Sequence, residues 1–233
     1  ARQLDGLPTY ARTEVGEVDG PIDVVIDGLR YWVDPLGGQK TGFYFDQRDN
    51  RQAATSLLRP GDRVLDLFSY SGAFALTAAR QKCQVVGVDS SVAAIDLANM
   101  NALLNDLSTR CTFIHSDVTT FLDAAGDKER FHAVLVDPPP FARTKKDAGH
   151  AVGAYERLNR KAMQVLEPGG LLVSSSCSFH VAPEDFLNAL VRAAARLGRA
   201  MRLIEVRGQS RDHPAIAAMP QTRYLKCVVA QVF

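Results

Sequence analysis

The chain has no long apolar run and few cysteines. No apolar segment approaches the roughly 20 residues that a helix needs to cross a bilayer, and the opening residues lack the pattern of a signal peptide. We therefore expect a cytoplasmic protein that makes no membrane contact. The four cysteines lie far apart and form no CxxC pair, which argues against a zinc knuckle and a disulfide framework, so we expect no metal. They are Cys83, Cys111, Cys177 and Cys227.

An excess of charge of either sign is also missing. The chain has 27 basic and 26 acidic residues, a formal net charge of +1. Nucleic acid would therefore have to bind to a local basic patch rather than to the protein as a whole. The length of 233 residues suffices for one α/β domain of ordinary size and an appendage.

A regular alternation of apolar and amphipathic segments is present from residue 64 onward. It is typical of βαβ units in a parallel sheet. The last two strand segments are joined by a loop too short for a crossover helix, so they should pair antiparallel. We therefore predict an α/β fold with a Rossmann-like sheet, mostly parallel with an antiparallel final strand. The predicted strands are Val64–Leu67, Gln84–Val88, Thr112–His115, Ala133–Val136, Leu171–Ser174, Arg202–Val206 and Tyr224–Val232.

A small β appendage is predicted before this domain. Two β-rich segments, Ile22–Ile26 and Leu29–Val33, flank Asp27-Gly28, a dipeptide that favours a type I′ hairpin turn. We expect residues 1–45 to form this β-rich unit and residues 46–233 to form the main domain.

A helix is predicted at the start of the main domain. Asp46 can cap a helix from about Gln47 to Leu58. The sequence Arg59-Pro60-Gly61-Asp62 then ends it, because proline and glycine break the helical ladder.

A nucleoside-binding turn is predicted after the first parallel strand. Ligands of open parallel sheets bind beyond the carboxyl ends of the strands, where Gly72 permits a close backbone approach and the next helix presents its amides. A carboxylate about 20 residues later can accept both ribose hydroxyls. The turn lacks the fuller GxGxxG pattern of dinucleotide sites, so S-adenosylmethionine fits better than NAD. The candidate binding residues are Asp66, Phe68, Ser69, Tyr70, Gly72, Asp89 and Ser90.

These residues also have simpler interpretations. The aspartates could cap helices and Gly72 could be only a turn residue. Asp117 follows the third strand, and its carboxylate could either cap the next helix or accept a hydrogen bond from the adenine amino group. Both interpretations of Asp117 stay open.

A carboxylate and a thiol follow two neighbouring predicted strands. Asp137 precedes three prolines and Phe141, and the prolines hold the loop rigid, so that the carboxylate can be set against a base edge. Cys177 lies among serines past a strand end, where a thiol can be partly exposed and activated. The other cysteines lie in or beside apolar strands, where free cysteine is usually a small buried hydrophobe.

This pair favours methyl transfer to a pyrimidine. Carbon 5 of a pyrimidine is a poor nucleophile until a thiolate adds to carbon 6. A carboxyl group near nitrogen 3 would stabilise the charge moved onto the ring, the role assigned to Asp137. A base must then remove the proton from carbon 5; His180 and His213 are candidates, and the role stays unassigned.

The motifs together resemble those of the bacterial 23S ribosomal RNA cytosine-5 methyltransferases of the large-subunit methyltransferase I type. The resemblance covers nearly the whole chain and implies a class I methyltransferase fold. The motifs are the run from Gly37 to Arg51, Leu65 to Gly72, Asp137 to Phe141, Ser176-Cys177-Ser178, Asp212-His213-Pro214 and Tyr224-Leu225-Lys226.

The resemblance implies roles for the candidate residues. It puts S-adenosylmethionine on Asp66, the turn from Phe68 to Gly72, Asp89 and Asp117, with Cys177 as the nucleophile and Asp137 in the target pocket. It also puts the helix carrying three further binding candidates against the cofactor, and an arginine there could pair with the methionine carboxylate. The three are Gln47, Arg48 and Arg51.

The resemblance further implies 23S ribosomal RNA as partner. Basic residues after the proline loop would contact phosphates around a flipped base, although each one singly reads as part of an ordinary charged surface. Relatives usually carry an N-terminal RNA-binding PUA domain and a complete small central domain, so we expect a fragment that starts within the latter. The oligomeric state, a dimer included, stays open. The basic residues are Arg143, Lys145, Lys146, Arg157, Arg160 and Lys161.

Two alternative functions stay open. A uridine-5 methyltransferase needs the same thiol chemistry and differs in how the base edge is read. A noncatalytic module that binds S-adenosylmethionine or RNA would keep the pocket without the reaction. In another group of RNA cytosine-5 methyltransferases the proline loop carries an extra cysteine that assists product release, and this loop has none.

Overall fold

The computed structural model describes residues 13–38, 40–126, 128–142 and 144–233, and only the backbone of Lys145. The chain divides into two compact units, one ending at Tyr44 and one spanning Phe45–Phe233. The interpretation of the first unit as the remnant of a small central domain stays a prediction.

The first unit contains a two-stranded antiparallel sheet. Strand β1 (Ile22–Ile26) pairs with β2 (Leu29–Val33). Between them Asp27 and Gly28 have φ of 52° and 78°, the positive values that a type I′ turn requires at both central positions. The predicted hairpin is therefore confirmed.

The second unit alternates helices and strands along the chain. Its first helix follows a short 3-10 turn at Phe45–Gln47. The elements are α1 (Arg48–Thr55), β3 (Arg63–Leu67), α2 (Ala73–Arg80), β4 (Gln84–Asp89), α3 (Val92–Leu104), β5 (Cys111–His115), α4 (Val118–Ala125), β6 (Phe131–Val136), α5 (Ala148–Gln164), β7 (Leu166–Ser176), α6 (Pro183–Ala195), β8 (Met201–Arg207) and β9 (Lys226–Val232).

The strands of the second unit form one seven-stranded sheet in the order β5-β4-β3-β6-β7-β9-β8. Strands β3 to β7 pair parallel with their neighbours, and β9 runs antiparallel to both β7 and β8. The predicted α/β fold with a mostly parallel sheet and an antiparallel final strand is confirmed. The winding direction reverses between β3 and β6, the position at which open sheets of this kind bind ligands.

The central strands are apolar because both faces of the sheet are covered. Leu65 of β3 and Leu172 of β7 are fully buried. On one side, Tyr155 of α5 meets Phe186 of α6 edge-on, with ring centroids 5.1 Å apart. Strands β6 and β7 pair directly, with Val136 opposite Ser174, so their carboxyl ends lie side by side.

The first helix starts about where it was predicted, but the prediction of its cap was wrong and it ends at Thr55, before the predicted Leu58. α1 begins at Arg48, and Asp46 lies in the preceding 3-10 turn without capping the helix. The Asp46 carboxylate instead accepts a hydrogen bond from the Tyr224 hydroxyl at 2.8 Å. The Asp46 side chain is therefore engaged in a tertiary contact and not in a helix cap.

Strand β7 is longer than predicted. It begins at Leu166 and passes through Pro168, Gly169 and Gly170, residues that the sequence pattern treats as breaks. The pairing of β6 with β7 is irregular between Phe131 and Ala133, which accommodates these residues at the start of the strand.

Candidate active site

The loop after β3 has an unusual backbone. Phe68, Tyr70 and Gly72 have φ of 63°, 46° and 79°, in the left-handed region that side chains other than glycine disfavour by roughly 1–2 kcal/mol. The carbonyl of Val88 accepts hydrogen bonds from Phe68 and Ser69 at 2.9 and 3.1 Å. Strained backbone held in this way is concentrated at functional sites, and neither Phe68 nor Tyr70 is a residue type that predicts it.

Gly72 is required by packing as well as by its backbone angle. A Cβ at this position would lie 2.9 Å from Cζ of Phe113 and 3.2 Å from Cβ of Ala98. The space beside Gly72 is thus filled by the protein itself. Binding of a ligand to the backbone of Gly72 stays a prediction.

Asp66 is buried at the centre of the site. Its Oδ2 accepts a hydrogen bond at 3.0 Å from the backbone N–H of Ala75 in the first turn of α2. Removal from water raises the pKa of the carboxyl to about 8; the charges of Asp137 and Asp89 act in the same direction, while the Ala75 hydrogen bond and the charge of Arg51 oppose the shift. The charges of two neighbouring carboxyl groups therefore act on Asp66 at this sheet edge.

The carboxylate of Asp89 is oriented by backbone donors. Its Oδ2 accepts from the N–H of Tyr70 at 3.0 Å and its Oδ1 from that of Ser91 at 2.9 Å. Ser90 is exposed, and its carbonyl lies 3.1 Å from Nε2 of His115. Asp89, the residue predicted to bind the ribose, thus joins the end of β4 to the loop after β3.

Asp117 caps helix α4. Its Oδ1 accepts a hydrogen bond from the backbone N–H of Thr120 at 2.9 Å. The capping interpretation is therefore observed. The interaction with adenine stays a prediction.

Cys177 follows β7 directly, and its Sγ lies 4.0 Å from the carbonyl oxygen of Pro138 in the proline loop. The thiol is partly exposed, whereas the other three cysteines are buried. Burial raises the pKa of Cys83 to about 11 and those of Cys111 and Cys227 to about 12. Those three are poor candidates for a thiolate at neutral pH.

A buried lysine holds the segment after Cys177. Lys226 opens β9, and its Nζ donates hydrogen bonds to the carbonyls of Ser178 and Tyr224 at 2.6 and 2.9 Å. Burial lowers the pKa of Lys226 to about 8, and interaction with Cys177 opposes the shift. The motifs include Lys226, but a positive charge at the start of an otherwise apolar strand was the only sign of such a role.

The proline loop is fastened to the same segment. Ser178 Oγ accepts from the backbone N–H of Ala142 at 3.1 Å and is hydrogen-bonded to the Tyr155 hydroxyl at 2.9 Å. The ring of Phe141 packs on Tyr155 with centroids 4.7 Å apart. Asp137 and Cys177 thus begin two loops that are tied to each other.

The cofactor candidates on α1 lie in different surroundings. The side chain of Gln47 donates a hydrogen bond to Oδ1 of Asp137 at 2.9 Å. Arg51 is buried near Asp66 and Arg48 is exposed. The structure therefore brings Gln47 and Arg51 to the carboxyl groups and leaves Arg48 at the surface.

The candidate histidines have other neighbours. The ring of His180 meets that of Phe179 edge-on at 5.2 Å, and Nδ1 of His213 lies 3.0 Å from Oδ1 of Asp212. Neither contact identifies the base that would remove the proton from carbon 5.

The basic residues of α5 lie in two settings. Arg157 and Arg160 line a cavity of about 350 Å³ together with Arg196, whereas Lys161 forms an ion pair with Asp123. Arg143 and the side chain of Lys145 lie outside the described residues. In the part of the chain that the structure describes, no group of acidic, histidine and cysteine side chains could hold a metal ion, and no helix could span a membrane.

The polar groups at this sheet edge suit S-adenosylmethionine. Coupled carboxyl groups favour a cationic sulfonium, Asp89 offers acceptors for ribose hydroxyls, and the buried Oγ of Ser69 has no hydrogen-bond partner among the described residues. The residues at this sheet edge therefore fit a charged nucleoside.

The family model of S-adenosylmethionine-dependent methyltransferases matches residues 11–221, so the chain belongs to this family and its cofactor is S-adenosylmethionine. The chain is 40% identical over 235 residues to ribosomal RNA large subunit methyltransferase I of Serratia proteamaculans (strain 568), covering 99% of the chain and 59% of the relative. The relative of that name from Yersinia pestis bv. Antiqua (strain Angola) is 38% identical, with the same coverage. The resemblance inferred from the motifs is confirmed, and the chain spans 59% of the length of these relatives.

Solved structures share the fold. SMU.776 complexed with SAH has a TM-score of 0.82 at 23% identity, covering 93% of this chain and 57% of that one. TYW2 of P. horikoshii in complex with MeSAdo has a TM-score of 0.72 at 15% identity, covering 100% of this chain and 80% of that one. At these identities the likeness concerns the fold alone.

Proposed function

We propose that the protein methylates carbon 5 of a cytidine in 23S ribosomal RNA through a covalent bond to Cys177. The observation that carries the proposal is the meeting of two strand ends: Cys177 Sγ lies 4.0 Å from the carbonyl of Pro138, the residue after Asp137. The names of the curated relatives support a large-subunit ribosomal RNA substrate. Such a substrate would be met in the cytoplasm.

The proposed reaction uses the thiol and the carboxyl group in sequence. The Cys177 thiolate forms a bond to carbon 6, and the electron pair of the carbon 5–carbon 6 double bond moves into the ring, where Asp137 stabilises it near nitrogen 3. Carbon 5 then takes a methyl group. A base, still unassigned, removes the proton from carbon 5; the double bond forms again and the Cys177 sulfur leaves with its bonding electrons.

The charge of Lys226 supports this chemistry. A nearby ammonium group stabilises a thiolate, and Lys226 interacts electrostatically with Cys177. Its hydrogen bond to the Ser178 carbonyl at 2.6 Å also fixes the backbone directly after the nucleophile. Both effects favour a thiol held ready for attack.

The cofactor, when bound, supplies the methyl group from its sulfonium. We assign its ribose to Asp89, its adenine to Asp117 and its charged end to the neighbourhood of Asp66 and Arg51. The other assigned residues are Gln47, Arg48, Phe68, Ser69, Tyr70, Gly72 and Ser90.

Contacts with RNA are proposed on the side of the proline loop and α5. Arg157 and Arg160 line a cavity in which the third arginine, Arg196, is paired with Glu156, and arginine side chains bind phosphates. Lys146 is exposed in the 3-10 turn before α5. Arg143 and Lys145 complete the proposed set, whereas the ion pair of Lys161 with Asp123 gives that lysine a structural role.

A covalent trap tests the proposal. An RNA with 5-fluorocytidine at the target cannot lose a proton from carbon 5, so wild type with S-adenosylmethionine should form a stable adduct that denaturing gels resolve. Cys177→Ala should abolish it while cofactor affinity, measured by calorimetry, stays unchanged; Cys111→Ala is the matched control and should keep the adduct. An adduct that persists in Cys177→Ala would refute the assignment of the nucleophile.

The two alternatives give different outcomes. With unmodified 23S RNA and labelled cofactor, 5-methylcytidine by mass spectrometry supports the proposal and 5-methyluridine supports the uridine-5 alternative. Cofactor binding without labelling of full-length or fragment RNA would support a noncatalytic module.

A further inference from the structure

A chain of three hydrogen bonds leads from β8 to Asp137. Nε of Arg207 donates to Oδ1 of Asn50 at 2.9 Å, Nδ2 of Asn50 donates to Oε1 of Gln47 at 2.7 Å, and Nε2 of Gln47 donates to Oδ1 of Asp137 at 2.9 Å. Gln47 and Asn50 are 2% and 1% exposed, so water cannot easily replace these bonds. Their loss would leave buried polar groups unsatisfied.

The donor and acceptor roles in this chain of bonds are fixed at its Arg207 end. A guanidinium can only donate, so the atom of Asn50 that faces Arg207 must be its oxygen. Nδ2 of Asn50 also donates to the carbonyl of Gly208 at 3.0 Å, and a carbonyl can only accept. Reversing the amide would set donor against donor and acceptor against acceptor.

The fixed amide of Asn50 fixes that of Gln47 in turn. Because Asn50 presents an N–H, Gln47 must present its oxygen to Asn50 and its N–H group to Asp137. Oδ1 of Asp137 is therefore an obligatory acceptor.

The helix that carries the chain of bonds is held in place. The backbone N–H of Ser210 donates to the Asp46 carbonyl at 2.8 Å, and Oγ of Ser210 accepts from the backbone N–H of Asp49 at 2.8 Å. The loop after β8 thus holds both the first turn of α1 and Asp46 in the 3-10 turn before it. The spacing of Gln47 and Asn50 is set by rigid backbone rather than by mobile side chains.

We infer that Arg207, Asn50 and Gln47 are positioning residues that commit Oδ1 of Asp137 to accepting a hydrogen bond, so that Asp137 exchanges a proton with the target base through Oδ2. The inference rests on the proposed function of Asp137. It gives Gln47 a role toward the RNA base in addition to the cofactor role assigned from the motif. A carboxyl group held in this way meets nitrogen 3 with one defined oxygen.

An isosteric substitution tests the inference. Asn50→Asp keeps the acceptor for Arg207 but removes the N–H offered to Gln47, so Gln47 must turn its amide and present oxygen to Asp137. We expect adduct formation with 5-fluorocytidine RNA, and kcat, to fall about tenfold or more, while the KM for RNA changes less than about twofold. Asn188→Asp, exposed on α6, adds the same charge elsewhere and should match wild type.

A second variant distinguishes loss of the hydrogen bond from misfolding. Gln47→Met keeps the length of the side chain and removes the donor to Asp137; it should show the same fall in kcat, and a native circular dichroism spectrum with a cooperative thermal transition above the assay temperature should show that it is folded. Wild-type kcat in both Asn50→Asp and Gln47→Met would overturn the inference, even if Cys177→Ala is inactive. Absence of a wild-type adduct would instead overturn the proposed function, and this inference with it.

Discussion

Replacing Asp66 by asparagine should stabilise the cofactor-free protein above neutral pH. Burial raises the pKa of this carboxyl from 3.8 to about 8, so the native state keeps a proton that the unfolded chain releases. Stability from this group is present below about pH 4 and is lost as the pH rises to about 8. Asparagine mimics the neutral acid, and its oxygen can still accept the hydrogen bond from Ala75.

The size of the effect follows from the pH interval between the two pKa values of Asp66. Between about pH 5 and about pH 8 wild type should lose about 4 kcal/mol relative to Asp66→Asn, because each pH unit is worth roughly 1.4 kcal/mol. Urea unfolding followed by circular dichroism at both pH values measures the difference. Asp96→Asn, an exposed site on α3, is the control. An equal stability difference between wild type and Asp66→Asn at both pH values would show that Asp66 is ionised in the native state throughout.

Two further substitutions test the surroundings of the site. Burial lowers the pKa of Lys226 from 10.5 to about 8, so the native state releases a proton that the unfolded chain keeps; the stability of wild type relative to Lys226→Met should therefore rise with pH across this interval, as measured by thermal unfolding. Gly87→Ala would set a Cβ 2.5 Å from Cδ1 of Phe113 and should cost about 2 kcal/mol in urea unfolding. Gly149→Ala, where nothing lies within 4 Å, should be neutral or slightly stabilising; equal costs would contradict the packing argument.

The fold was predictable because its signals are local. Apolar strands between amphipathic helices predict a parallel sheet whatever the distant residues do, and Asp27-Gly28 defines its turn through two backbone angles. The errors arose where tertiary contacts prevailed over local preference. The Tyr224 hydroxyl binds the Asp46 carboxylate that was expected to cap α1, and β7 extends through Gly169 and Gly170 because β6 pairs with its start.

The candidate site was predictable only in part. Asp137 and Cys177 could be found because each follows a strand end, and parallel strands bring their carboxyl ends to one edge. Asn50 and Arg207 could not, because they are 157 positions apart and each alone reads as an ordinary polar residue. The left-handed angles of Phe68 and Tyr70 were also hidden, since neither residue type favours them.

The place of β9 between β7 and β8 has a consequence for synthesis on the ribosome. β8 is made before β9 but has no neighbour in the sheet until β9 exists, because long-range pairing cannot precede the emergence of its partner. Arg207 at the end of β8 and Lys226 at the start of β9 therefore reach their positions together, once β9 has been made. A nascent chain can assemble the nucleoside-binding half of the sheet while the thiol of Cys177 still lacks the lysine and the ordered backbone beside it.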